Sequence, residues 1–179
     1  MMADTRRNKT KMKKLLVVAG VAAASLSFAQ NSFQAPANMG LRIGYVLPID
    51  STMRDVAPNY IGLGLDFPVQ FKLLPEGETV VSIDWMGKSG SGAHGNVFPF
   101  MINQRFYSKV APGVNRSYFF FGGGVALVDL TSSNTVLAAQ AGYGAELGEN
   151  LYGEGKFLYT DAAGGAHGTS VGFYIGYRF

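Results

Sequence analysis

Between Tyr60 and Leu74 every second residue is apolar: Ile61, Leu63, Leu65, Phe67, Val69, Phe71 and Leu73 fall on one side of an extended chain, and Tyr60, Gly62, Gly64, Asp66, Gln70 and Lys72 on the other. A period of two belongs to a strand with two unlike faces and not to a helix. The segment from Ser170 to Phe179 repeats the pattern, with Val171, Phe173, Ile175, Tyr177 and Phe179 on one face and Ser170, Gly172, Tyr174, Gly176 and Arg178 on the other. No segment after residue 30 carries the 3, 4, 7 apolar spacing of an amphipathic helix, so the chain reads as all-β.

Segments of this kind, separated by turn signals, are expected at 39–47, 59–74, 79–88, 96–108, 116–130, 135–148, 150–160 and 169–179. About eight strands, an even number, fit a closed antiparallel up-and-down barrel. The connections alternate in character. Residues 48–58, 87–95, 131–134 and 161–168 are mostly long or rich in Gly, Ser and Ala, whereas 75–78 and 148–150 are tight and 108–116 is an exception to the alternation. Pro68 cannot donate to a ladder, so a bulge or a strand end is expected there.

Alternation alone also fits a soluble barrel around an apolar ligand, in which the apolar faces point inward. The opposite face decides against it. That face is dominated by Gly, Ser, Tyr and isolated charges, and 24 glycines make a poor solvent coat but suit a crowded interior. The expectation is a transmembrane barrel with its apolar face toward lipid and its backbone satisfied by the closed ladder. The lumen would then hold Arg42, Asp66, Lys72, Asp84, Arg105, Glu146, Glu154, Lys156 and Arg178 as a structural network of ion pairs, because eight strands leave no open channel. Trp85, Tyr45, Tyr143, Phe106, Tyr177 and Phe179 fall near strand ends on the outward face, where an aromatic girdle sits. The start of the fifth strand, Tyr118 to Gly124, does not alternate, and its inward face stays open.

The N-terminal segment reads as targeting. Lys13 and Lys14 precede an apolar run from Leu15 to Ala29 that ends in Ser27-Phe28-Ala29 before Gln30, as a cleavable Sec-type signal peptide does. Residues 1–29 are assigned to the signal, with cleavage after Ala29, and 30–179 to one barrel domain. A membrane anchor is the competing reading, but the run falls short of the roughly 20 apolar residues a spanning helix needs. Met12 opens a tidier signal, so Met1 and Met12 both stand as starts. Without residues 1–29 the chain keeps nine Lys and Arg against eleven acids, a net charge of −2. The basic character of the whole sequence therefore lies in the signal, and no basic patch is left for nucleic acid. With no cysteine, the domain holds together without disulfides.

No nucleophile elbow, HExxH motif or cysteine cluster occurs, and Gly122-Gly123-Gly124 lacks the following helix of a phosphate loop. His167 and Ser170 could serve a membrane-embedded lipid-modifying enzyme, but three residues apart on a strand they face opposite ways. Gly92-Ala93-His94-Gly95 and Gly165-Ala166-His167-Gly168 repeat one tetrapeptide in two loops, and two histidines are too few for a closed zinc site. The expectation is no catalysis, no metal and no cofactor.

Tyr177-Arg178-Phe179, with alternating apolar positions before it, resembles the ending of small bacterial outer-membrane β-barrel proteins of the OmpA and OmpX type. The pattern departs at one place: the family favours Gly five residues before the terminal aromatic, where this chain has Tyr174 between Gly172 and Gly176. The resemblance implies that Phe173, Tyr177 and Phe179 form the signal read by the barrel-assembly machinery. The chain is expected to be a monomer in the outer membrane of a Gram-negative cell, a porin-like barrel in contact with lipid, with a role in envelope structure or surface interaction. A lipid A deacylase-like enzyme and a soluble periplasmic barrel are the alternatives.

Overall fold

The computed structural model describes residues 39–90, 93–109, 115–130 and 133–179. The signal peptide assigned to residues 1–29 lies outside them. Eight long strands run antiparallel: β1 (Gly40–Pro48), β2 (Tyr60–Val69), β3 (Glu78–Gly90), β4 (Ala93–Tyr107), β5 (Ser117–Asp129), β6 (Ser133–Glu146), β7 (Leu151–Thr160) and β10 (Ser170–Arg178). Each pairs with its sequence neighbour, and β1 pairs with β10 from Gly40↔Arg178 to Pro48↔Ser170, which closes the barrel. Closure joins the last strand to the first, so along the closed ladder the backbone polar groups are satisfied without water.

The alternation read in the sequence becomes the two surfaces of the wall. Ile43, Leu63, Ile102, Phe119, Leu137, Phe157, Phe173 and Ile175 are exposed on the outside, and their immediate neighbours are buried inside, except for half-buried Gly44 and Val136. An outer wall this apolar is suited to lipid, and a soluble barrel of the same strands would need the opposite orientation. Tyr45, Tyr143, Tyr177 and Phe179 are exposed, and outside the wall Phe106 stacks on Phe119 at 4.9 Å.

Inside, large rings fill the bore by lying over glycines of nearby strands. A Cβ at Gly62 would stand 2.7 Å from the Tyr174 ring, and one at Gly176 would meet the Tyr152 ring, so these positions exclude any larger residue. This accounts for the pairing of abundant Gly with inward Tyr that the sequence shows.

The connections differ from expectation in four places. The expected 87–95 loop is largely strand, because β3 and β4 stay paired through Ser89↔His94 to Gly90↔Ala93. Asp50 caps a short helix, α1 (Ser51–Val56), by accepting hydrogen bonds from the backbone N–H groups of Thr52 at 2.9 Å and Met53 at 3.2 Å. Six residues are too few to show a helical period, so α1 left only its capping residue as a signal. Between β7 and β10, β8 (Ala162–Ala163) and β9 (Ala166–His167) form a small hairpin turned by Gly164 and Gly165, both with positive φ. On the other end of the barrel, β2 stops at Val69 rather than at Leu74. Among the described residues the pairing of β1 with β2 ends at Gly40↔Asp66 and that of β2 with β3 at Val69↔Thr79, and Pro68 lacks a donor. Residues 70–77 consequently form a loop instead of a tight turn.

Candidate functional site

The inward faces bring the expected charges together in the middle of the barrel. Arg42 of β1 is the hub: its Nη1 donates to Asp66 Oδ2 on β2 at 2.7 Å, its Nη2 to Asp84 Oδ1 on β3 at 2.7 Å, and it lies 3.5 Å from Glu154 Oε1 on β7. Arg105 of β4 donates to Asp66 Oδ2 at 2.8 Å, and Lys156 of β7 donates to Asp84 Oδ2 at 2.6 Å. These three cations and three acids are all buried. Charges of one sign in so narrow a space would be prohibitively costly, and one-to-one balance is what allows them to be buried together.

Glu146 and Arg178 sit nearer the end of the barrel that carries Phe179. Arg178 Nη1 donates to Glu146 Oε1 at 2.8 Å, and Arg116 Nη2 donates to the same oxygen at 2.9 Å. Lys72 is the exception among the expected lumen residues: it is exposed in the loop after β2, because the strand that would have aimed it inward ends three residues earlier. Glu78 lies near this end instead, 3.7 Å from Arg105 and accepting from the Tyr107 hydroxyl at 3.0 Å. With Arg116 and Glu78 included and Lys72 excluded, the lumen and its mouth remain balanced.

Uncharged polar residues that charge-based reading passes over complete the middle layer. Gln140 Nε2 donates to Asn103 Oδ1 at 2.7 Å, and Asn103 Nδ2 donates to Ser82 Oγ at 2.9 Å. The alternation of β3, β4 and β6 already placed all three on the inward face. Tyr118 donates its hydroxyl to Glu154 Oε2 at 3.0 Å, and this inward position settles the face of β5 that the sequence left open.

Toward the α1 end the interior changes to apolar. Val46, Tyr60, Met86, Val97, Ala126, Val128 and Leu158 are buried in one cluster, and α1 lowers Met53 into it, wholly buried. The Tyr60 hydroxyl donates to the Met53 carbonyl at 2.9 Å and holds the helix over the bore. Charged and polar groups therefore occupy the middle and the Phe179 end together with the large rings of Tyr118, Phe120 and Tyr152, and the expectation of a small, polar lumen fails at the α1 end.

The Phe179 mouth opens into a cavity of about 300 Å³ lined by Pro68, Gly77, Glu78, Arg105, Tyr107, Arg116 and Arg178. Its cations are already engaged by Glu146, Glu78 and Asp66. Among the described residues no three His, Cys, Asp or Glu side chains come together as metal ligands. His167 and Ser170 are not joined: His167 Nδ1 lies 3.0 Å from the Thr160 carbonyl, while the Ser170 hydroxyl donates to Met86 Sδ at 3.4 Å. The other copy of the repeated tetrapeptide, at His94, reaches into residues outside the described set.

No family model and no curated protein sequence matches the chain. Solved structures do. Neisserial surface protein A superposes with a TM-score of 0.54 at 9% identity, covering 78% of this chain and 94% of that one. The outer-membrane enzyme PagL superposes at 0.53 and 13% identity, over 80% of this chain and 99% of that one. Ail, the attachment invasion locus protein of Yersinia pestis, superposes at 0.50 and 15% identity, over 80% and 99%. This is the fold of the small eight-stranded outer-membrane β-barrels. At these identities the likeness carries the fold alone, and a barrel shared by a surface protein and an enzyme assigns neither role.

Proposed function

We propose that the chain is a non-catalytic outer-membrane β-barrel with a structural or surface-contact role in the envelope. The observation that carries this reading is the pairing of an apolar outer wall with a filled, charge-balanced bore. The first suits lipid, and the second commits the barrel's polar groups to holding the wall together. In this reading residues 1–29 export the chain, the barrel-assembly machinery reads Phe173, Tyr177 and Phe179, and the barrel works as a monomer. The α1 end, with its helix and small hairpin, faces outward and offers the contacts. The lipid-modifying alternative is disfavoured because Ser170 bonds to a methionine sulfur rather than to a histidine.

The test is to express the full chain in a Gram-negative host, separate inner from outer membrane, and determine the mass of the host's lipid A. The expected result is barrel in the outer-membrane fraction with lipid A unaltered. Loss of an acyl chain that disappears with His167→Ala would overturn the non-catalytic reading, and recovery in the soluble fraction would overturn the membrane reading.

A further inference from the structure

Residues 70–77 do not simply cross from β2 to β3. Thr79 and Gln104 are cross-strand partners on the outward face of β3 and β4, in line with outward Val81 and Ile102, yet both are buried. The loop covers them. Gln104 Nε2 donates to the Glu76 carbonyl at 2.7 Å, the Leu73 amide donates to Thr79 Oγ1 at 3.1 Å, and Thr79 Oγ1 donates to Gln104 Oε1 at 2.9 Å. Gly77 completes the fold-back in the left-handed region at φ 87°, with the outward Phe106 ring 3.2 Å from where its Cβ would be. The loop is thus fastened at two points onto the outer wall, over the polar pair that would otherwise interrupt its apolar surface.

The side chains this loop presents in their place are apolar. Phe71 is 52% exposed, Leu73 55% and Leu74 41%, with the Lys72 ammonium among them. A backbone fastened by two partly buried hydrogen bonds does not readily turn these groups away from their surroundings. Exposed to water, three large apolar side chains on a fixed loop are unfavourable; next to the acyl chains that meet the rest of the wall, they are not. Lys72 can extend along this apolar surface and place its charge at the depth of lipid phosphates.

We propose that residues 70–77 are a membrane-seated flap, with Phe71, Leu73 and Leu74 in the acyl-headgroup boundary of the leaflet nearest Phe179 and Lys72 on phospholipid phosphate. The occupant is a phospholipid leaflet, argued from the continuity of the flap with the apolar wall. This inference rests on the membrane reading above, and the test separates the two.

The chain has no cysteine, so single cysteines carry unique nitroxide labels. Phe71→Cys and Leu74→Cys report on the flap, and Ile43→Cys, outward in the middle of β1, reports on the wall. Each labelled protein is reconstituted into phosphatidylglycerol and phosphatidylethanolamine vesicles. Power saturation then compares relaxation by oxygen, which concentrates in lipid, with relaxation by a water-soluble nickel chelate. Labels at 43, 71 and 74 are all expected to respond to oxygen over nickel, the flap labels at shallower depth. Oxygen response at 43 with nickel response at 71 and 74 would overturn the flap and leave the barrel in the membrane. Protection at 71 and 74 from both reagents would overturn it as well, in favour of a protein contact. Nickel response at 43 would overturn the membrane reading itself.

Discussion

Replacing Arg42 with methionine removes the one cation that three buried acids share. Arg42 makes 2.7 Å contacts with both Asp66 and Asp84 and lies 3.5 Å from Glu154, with its side chain only 2% exposed. After Arg42→Met, Arg105 and Lys156 are left against Asp66, Asp84 and Glu154, an excess of one buried negative charge. Breaking a buried pair in this way costs about 3–5 kcal/mol, because the orphaned charge keeps its desolvation penalty without its partner. The geometry also names the compensating change. Adding Glu154→Gln leaves two intact pairs, Asp66 with Arg105 at 2.8 Å and Asp84 with Lys156 at 2.6 Å. Glutamine also keeps an acceptor for the Tyr118 hydroxyl. The double variant is therefore expected to be more stable than Arg42→Met alone by about 1–3 kcal/mol, in the range of coupling between contacting residues. Urea unfolding from lipid vesicles, followed by the fluorescence of Trp85, measures both. An Arg42→Met barrel as stable as the wild type, or a double variant no more stable than the single one, would refute the claim that charge balance governs the bore.

Three further outcomes follow from particular contacts. Gly64→Ala places a methyl group against Asp84 Oδ1 and 2.6 Å from Arg42 Nε, and is expected to cost about 1–3 kcal/mol by overpacking, whereas Gly153→Ala meets only Leu147 Cδ1 at 3.6 Å and is expected to be tolerated; urea midpoints of the two variants check the contrast. Asp50→Ala removes the cap of α1 and is expected to cost about 1 kcal/mol locally, so amide exchange of residues 51–56 accelerates while exchange in β1 and β10 does not change. Met53→Ala empties a wholly buried position and is expected to cost about 2–5 kcal/mol, seen as faster protease cleavage within the α1 connection.

Strand order and the two-faced wall were legible in the sequence because a period of two acts locally and every strand of a closed meander pairs with its neighbour. The same alternation placed Arg42, Asp66, Asp84, Arg105, Glu154 and Lys156 inward, and their shared burial then made them partners. Lys72 escaped because its orientation depends on where β2 ends: the period of two continues in the residues to Leu73, but the ladder stops at Val69. The apolar layer around Met53 escaped for a related reason. Val46, Val97 and Leu158 carry inward parity, but only the closed bore shows that they lie at one height and that α1 caps them. Thr79 and Gln104 carry outward parity, and only the loop folded back over them accounts for two polar residues on that face. Pro68 was readable as the limit of its strand, since the ladder stops one residue later.

The most direct test of a membrane-spanning barrel is to fold residues 30–179 with and without detergent micelles, then compare far-UV circular dichroism and gel migration before and after boiling. The account predicts a β spectrum and heat-modifiable migration only when micelles or lipid are present. A folded, monodisperse protein in plain buffer would contradict it, because the outer wall of Ile43, Phe119, Leu137 and Phe173 would then have no apolar phase to face.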